Sequence, residues 1–244
     1  MNYLIGIDDT DNLESRGTGY RARALGDALT RTGLAELRSV TRHQLLVHPA
    51  IPYTSHNSSA CLLVSARDGV EEIARFCAGV LLAESAPGSD AGLCLLRVDS
   101  VGPAVVAFGR RAKREVVTQG EATTLAAAQG CILQGLTGDG GGVIGALAAV
   151  GLYAAGDDGR YLWLPRLREM TGAITAGLLR RISAIDAAHI VDGRPLPDDD
   201  TVELGDWVRP IRRGGEAVLL VEPAGDAEGQ WRVAGRDLIK ARSE

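Results

Sequence analysis

The sequence predicts a mixed α/β (α+β) protein in two lobes with a β-rich end. Three observations predict it. Short apolar runs alternate with stretches of helical spacing, glycines and prolines cut between them, and beyond Thr201 the apolar runs follow one another with only turns between. The 244 residues are enough for one large domain or two small ones. Aromatics make up only 4% of the chain, so the core must be built from aliphatic side chains.

Residues 2–8 (NYLIGID) read as a short strand, apolar on both alternations and therefore central in its sheet. Asp8 would stand at its carboxyl end, where open α/β sheets gather ligands. The stretch DDTDNLESRGTGY follows, then a helix that starts near Tyr20 and ends at Gly33. Leu37 to Val47 is strand-like. HPAIPYTSHNS, with two prolines, is a loop into the strand SACLLVSA. GVEEIARFCAGVLLAES is the clearest helix, with Ile73, Phe76, Val80 and Leu81 on one side. GLCLLRVDS reads as a strand, and Pro103 to Val117 as a helix. Gln119 and Gly120 read as a hinge between lobes, dividing the chain into 1–118 and 119–244. EATTLAAAQGCIL suggests a helix, GDGGG a sharp turn, and VIGALAAVGLYAAG an apolar helix closing at Gly156. DDGRYLWLP reads as a turn and a strand, and TVELGDWVRPI, EAVLLVEP and QWRVAGRDLI as the strands of the tail.

The net charge is −5, whereas proteins that live on nucleic-acid phosphate usually show a basic excess or face. Arg110, Arg111, Lys113 and Arg114 form one local cluster, and Arg209, Arg212 and Arg213 another; both read as solvated surface. Cys61, Cys77, Cys94 and Cys131 show no metal-ligand spacing and lie among apolar neighbours, as buried reduced thiols do. No signal-peptide pattern opens the sequence, and no apolar run has the length of a bilayer span. The expected location is cytoplasmic.

Asp8, Asp9 and Asp11 carry the strongest chemical signal. Three like charges this close repel unless a cation or hydrogen bonds offset them. Mg²⁺ takes one or two carboxylates, waters and phosphate oxygens. Gly17 and Gly19 flank Thr18 just before a helix, where backbone N–H groups can approach phosphate. An acidic metal corner beside such a turn suits phosphoryl or nucleotidyl transfer. An exposed turn with Asp as a helix cap is the other reading, and it stays open. No GxxxxGK[ST] motif occurs. Gly138 to Gly142 offers a second phosphate turn or simply a bend. His56 and Asn57, at the entry to a buried strand, are substrate contacts or structural hydrogen-bonding groups.

IGIDDTD, with a Gly/Thr stretch ending at Tyr20, resembles the opening of the archaeal tRNA-isoleucine agmatinylcytidine synthetases. HPAIPYTSHNSSA (48–60), PGSDAGL (87–93), AKREVVT (112–118) and GGVIGALAAVG (141–151) are similar to further segments of that family, in the same order. The resemblance implies a kinase-like domain using ATP and Mg²⁺, here 1–118, and a ferredoxin-like domain, here 119–244. The expected activity is an ATP- and Mg²⁺-dependent transferase or ligase. Asp8, Asp9 and Asp11 would hold the metal and act in catalysis. Thr10, Gly17, Thr18, Gly19, Gly140 and Gly141 would contact the nucleotide, and His56, Asn57, Ser58 and Asp90 the second substrate. The family continues into an OB-fold and a zinc ribbon that help grip tRNA, and this chain stops before them. The family's Cys-Thr-Thr-Tyr is here Gly17, Thr18, Gly19 and Tyr20. Its Lys-Thr-Arg-Gly-Asn is here Thr54, Ser55, His56, Asn57 and Ser58. On these grounds tRNA is expected to be a doubtful partner and the acceptor is unassigned. A non-catalytic nucleotide- or metabolite-binding module and a tRNA-modifying enzyme completed by a partner chain are the alternatives.

Overall fold

The computed structural model describes residues 1–52, 56–67, 69–225 and 229–244, so Thr54 and Ser55 of the proline loop lie outside the described residues. Its contacts divide the chain into two compact units, Met1–Ala155 and Gly156–Glu244. The expected division at 118/119 is thereby corrected. Thr118 is not at a hinge: its hydroxyl accepts from the Glu121 N–H at 3.2 Å while the Glu121 carboxylate accepts from the Thr118 N–H at 2.9 Å. This capping box starts a helix that packs within the first unit.

The first unit runs β1 (Asn2–Asp8), α1 (Thr18–Thr32), β2 (Glu36–Gln44), β3 (Ser58–Ser65), α2 (Val70–Glu84), β4 (Gly92–Arg97), α3 (Pro103–Ala112), α4 (Gln119–Gln129), β5 (Ile132–Gly135) and α5 (Val143–Ala155). Its strands lie in the order β5-β4-β1-β3-β2, each antiparallel to its neighbours. β1 is central, as its two-sided apolarity predicts. The rule for parallel sheets does not apply, however; Asp8 reaches a ligand-sized cleft because loops from β4 and β5 meet beside it. Two helix ends differ from expectation. α3 stops at Ala112, not Val117. α4 stops at Gly130, which takes φ 65°, and the following residues pair with β4 as a strand where the sequence predicts continued helix. In α2 the buried side is Ile73, Ala74, Cys77 and Leu81, with Phe76 and Val80 only half-buried.

The pleat sorts side chains to two faces. Leu4, Gly6 and Asp8 face α5, together with their cross-strand neighbours Cys61, Leu63, Cys94 and Leu96. Tyr3, Ile5 and Ile7 point the other way and are buried on the side covered by α1 and α2. α5 lies very close to the sheet. A Cβ on Gly6 would sit 2.0 Å from the Ala146 carbonyl oxygen, and one on Gly92 2.1 Å from the Gly142 carbonyl carbon. α3 in turn presses on the back of α5: a Cβ on Gly109 would lie 2.8 Å from the Ala148 oxygen, and one on Gly151 2.1 Å from the Val105 oxygen.

The second unit contains β6 (Arg160–Trp163), β7 (Gly172–Thr175), α6 (Ala176–Ile182), β8 (Ala187–Ile190), β9 (Thr201–Leu204), β10 (Ile211–Arg213), β11 (Glu216–Pro223), β12 (Gln230–Val233) and α7 (Arg236–Ser243). Its strands follow the order β6-β10-β11-β12-β9-β7, with β8 parallel beside β11. The tail is β-rich as expected, except that QWRVAGRDLI splits into β12 and α7 at Gly235. Among the described residues no helix is long and apolar enough to cross a membrane.

Gly6→Ala forces a methyl against the α5 backbone. It should cost about 3 kcal/mol and lower Tm by roughly 5–10 °C. Gly79→Ala, on the exposed side of α2 with nothing near its Cβ position, should stabilise by about 1 kcal/mol through helix propensity. Equal melting temperatures for the two variants would refute this packing.

Candidate active site

The end of β1 turns sharply. Asp9 has φ 50°, in the left-handed region that side chains other than glycine rarely occupy. The turn lets the Asp9 N–H donate to the Asp8 carboxylate, and the Asp90 N–H donates to that of Asp9. Asp11 turns toward α1. One of its oxygens accepts from the Thr18 backbone N–H at 3.2 Å and from the Thr18 hydroxyl at 2.6 Å. Thr10 is buried beneath, its hydroxyl donating to Thr18 Oγ1 at 3.2 Å.

On the other side stands the start of α5. Asp90 Oδ1 accepts from the Asp139 N–H, and Asp139 Oδ1 accepts from the Gly141 N–H, both at 2.8 Å. The Gly142 N–H donates to the Asp90 carbonyl at 2.8 Å. These bonds tie the loop before β4 to the glycine turn before α5. Gly145 then presents its bare Cα to Asp8: a Cβ there would fall 1.7 Å from Asp8 Oδ2. The Asp8 carboxylate thus rests on the first turn of α5, whose N-terminal dipole favours negative charge.

The two sides enclose a cleft of about 230 Å³, formed entirely by the first unit. Asp8, Asp9, Asp11, Asp90 and Asp139 line it, with Glu115 at the α3–α4 connection. No Lys or Arg is among its described lining residues. Leu45, Ile51, Pro52, Ala112, Val117 and Ile144 form an apolar wall. Loss of water pushes Asp8 up to about 7, helped by repulsion from Asp9 and Asp11. Asp9 is pushed up to about 6 by burial and by Asp90, Asp11 and Asp139.

Several residues singled out from sequence meet here: Asp8, Asp9, Asp11, Thr18, His56, Asn57, Ser58, Asp90 and Gly141 all line the cleft. Thr10, Gly17, Gly19 and Gly140 do not. Thr10 braces Thr18 from below, Gly17 is the exposed N-cap residue of α1 with Gly19 in that helix's first turn, and Gly140 packs against Gly135. Asn57 is partly committed, its amide donating to the Leu46 carbonyl at 2.6 Å. Among the described residues no three His, Cys, Asp or Glu side chains converge as metal ligands. Asp11 differs from Asp8 and Asp9 in that it also bonds the start of α1 through Thr18. Glu115, Gln119, Asp139 and Gly145 were missed. Asp139 was legible as the acid inside GDGGG; the others have no local signal. The Gly turn reaches the cleft from within the first unit, not from a second lobe.

No family model matches the chain. An isoleucine-tRNA 2-agmatinylcytidine synthetase, TiaS, from Haloquadratum walsbyi (strain DSM 16790 / HBSQ001) is 32% identical over 161 residues, which are 62% of this chain and 33% of that protein. Over 62% of its length the chain is TiaS-like. The structure of TiaS in complex with its isoleucine tRNA and ATP agrees, with a TM-score of 0.54 and 26% identity over 62% of this chain and 36% of that one. So does the structure of TiaS with the same tRNA, AMPCPP and agmatine, with a TM-score of 0.53 and 25% identity over 62% of this chain and 36% of the other. The chain thus spans about a third of the length of the TiaS proteins it matches. The resemblance read from the opening motif agrees with these relatives over that part of the chain.

The expectation of a doubtful tRNA partner is overturned by these same relatives, which are named for tRNA and seen bound to it. A whole-chain charge sum does not report the local field where a ligand docks, so the net charge does not weigh against a tRNA partner.

The pH response of the ligand-free protein follows from Asp8 and Asp9. Both ordinarily ionise near 3.8 and are raised here to about 7 and about 6. As pH rises above about 4 the unfolded chain loses these protons first, so stability falls until the folded carboxyls ionise and then levels off. Thermal melts in chelator should show Tm declining from about pH 4 to about pH 7. Asp8→Asn should flatten that decline and melt higher than the parent above it. Parallel profiles for the two proteins would remove the strain on Asp8.

Proposed function

We propose that the first unit is an ATP-dependent catalytic body that modifies tRNA, with Mg²⁺ held by Asp8 and Asp9 and an amine of the agmatine kind as co-substrate. One observation carries the reading: the cleft has six carboxylates on its lining and, among the described residues, no Lys or Arg beside them. Such a surface repels a bare triphosphate. It accepts a nucleotide only as a complex with a divalent cation, and it attracts a cationic amine directly. The similarity to TiaS, seen in complex with its tRNA and ATP, supports the same reading.

The donor set suits Mg²⁺. Asp8 and Asp9 are adjacent carboxylates that lack a neutralising cation on the described cleft lining, and two carboxylates with waters and phosphate oxygens are what Mg²⁺ takes. The metal would supply charge neutralisation of the phosphates. The chain's own groups do the rest. Asp11 holds the Thr18 end of α1 against the cleft. The first turn of α5 directs its dipole at the site. The apolar wall from Leu45 to Ile144 excludes water and offers a flat base or alkyl chain its contact surface. Positioning and electrostatics would supply most of the rate, as expected for transfer of phosphate-bearing groups.

Asp8→Asn should bind Mg²⁺·ATP about 100-fold more weakly by calorimetry, as loss of a charged ligand to the metal costs about 3 kcal/mol. Asp11→Asn should mainly lower stability by about 1 kcal/mol as a weakened helix cap. The decisive assay incubates the chain with tRNA, labelled agmatine and Mg²⁺·ATP, and follows the label into tRNA alongside release of AMP or phosphate. Label transfer that disappears with Asp8→Asn is the expected result. Saturable nucleotide binding without transfer to any tRNA would make the unit a binding module instead.

A further inference from the structure

Ser59 is buried, at 1% exposure, and its hydroxyl has no hydrogen-bond partner. An unpaired buried hydroxyl costs about 1–3 kcal/mol. Its place in the sheet suggests why this position carries one. β1 and β3 are antiparallel, with Gly6 opposite Cys61 and Ile7 opposite Ala60. The paired residues end there, and the same register continued by one step sets Ser59 opposite Asp8. Both lie on the α5 side, since Cys61 packs in the α5 core and Asp8 meets Gly145. Facing Cβ atoms on adjacent strands are about 4.5–5.5 Å apart, within reach of a serine-to-carboxylate hydrogen bond after rotation about χ1.

The other side of Ser59 is occupied by His43, its partner on β2 and fully buried. Thr41 Oγ1 lies 2.8 Å from His43 Nε2 and donates to the Cys61 carbonyl at 3.3 Å. With its proton spent there, Thr41 must accept from His43, which fixes the Nε2–H tautomer. Ser59 is therefore an unpaired hydroxyl between a fixed imidazole and, on the continued register, the carboxylate at the head of the cleft. Alanine would fill the same space without an unsatisfied polar atom.

We propose that Ser59 is a positioning residue for Asp8: it turns to donate its hydroxyl hydrogen to the ionised carboxylate and so fixes which oxygen faces the cleft. Only the binding arm of the test rests on the Mg²⁺·ATP reading. In the ligand-free protein at alkaline pH, three-bond NMR couplings report the Ser59 χ1 angle. A single rotamer that averages in Asp8→Ala but persists in Asp11→Ala is expected; the same χ1 behaviour in all three proteins overturns the proposal. In the second arm, Ser59→Ala should melt at or above the parent, because an orphan hydroxyl is gone, yet bind Mg²⁺·ATP about tenfold more weakly. Ser59→Thr, where its melt shows it folded, should recover most of that affinity. Unchanged affinity in Ser59→Ala, or a loss that tracks a fall in Tm, counts against positioning. If the parent itself binds no Mg²⁺·ATP, the functional reading fails while the rotamer measurement still decides the role of Ser59.

Discussion

The contact on which the first unit depends is the close approach of α5 to the centre of its sheet. Gly6 and Gly92 on the strands, and Gly142 and Gly145 at the helix start, leave no side chain between backbone and backbone. That proximity lets a helix of small residues lie against β1 and β4 with its flanks buried among Leu4, Cys94, Val105 and Phe108. It also fixes where the helix begins. Because Gly145 has no Cβ, the Asp8 carboxylate can rest on the first turn of α5 instead of being displaced by it. Packing and site geometry are therefore the same contact, seen from its two ends.

The cleft is an electrostatic conflict that the fold contains rather than relieves. Burial raises Asp8 and Asp9, and no arginine or lysine among the described residues lines the cleft to pull them back down. The backbone offsets part of the cost, through N–H groups of Asp9 and Asp90 and through the α5 dipole. Asp11, by contrast, is spent on structure as the cap of α1. Three aspartates within four residues thus divide into two strained carboxylates facing the cleft and one anchored carboxylate holding its wall. Strain kept in place by surrounding packing is characteristic of sites that await a charged ligand.

The second unit has a different character. Its sheet is built from short strands around Leu219, Val221 and Val202, and its parallel β8–β11 pair contrasts with the all-antiparallel first unit. The TiaS likeness covers 62% of this chain, a share close to that of the first unit. The cleft needs nothing from the second unit for its lining.

The sequence by itself determined the local features: the central apolar strand, the acidic turn after it, the helix stops at Gly33 and Gly156, and the family likeness carried by IDDTD and GVIGALAAVG. These are written in short-range periodicity and turn chemistry, which act within a few residues. Even the capping box at Thr118 and Glu121, legible as T-x-x-E, was there to show that 119 begins a helix and not a linker. Tertiary structure alone decided the rest. Nothing local tells that β5 leaves α4 at Gly130 to pair with β4, that Asp139 meets Asp90 across 49 residues, or that Asp11 caps a helix while Asp8 does not. Those outcomes depend on which loops the antiparallel register brings side by side. Register is set by the burial of whole faces against α5, α1 and α2, a property of the packed sheet that no single segment carries.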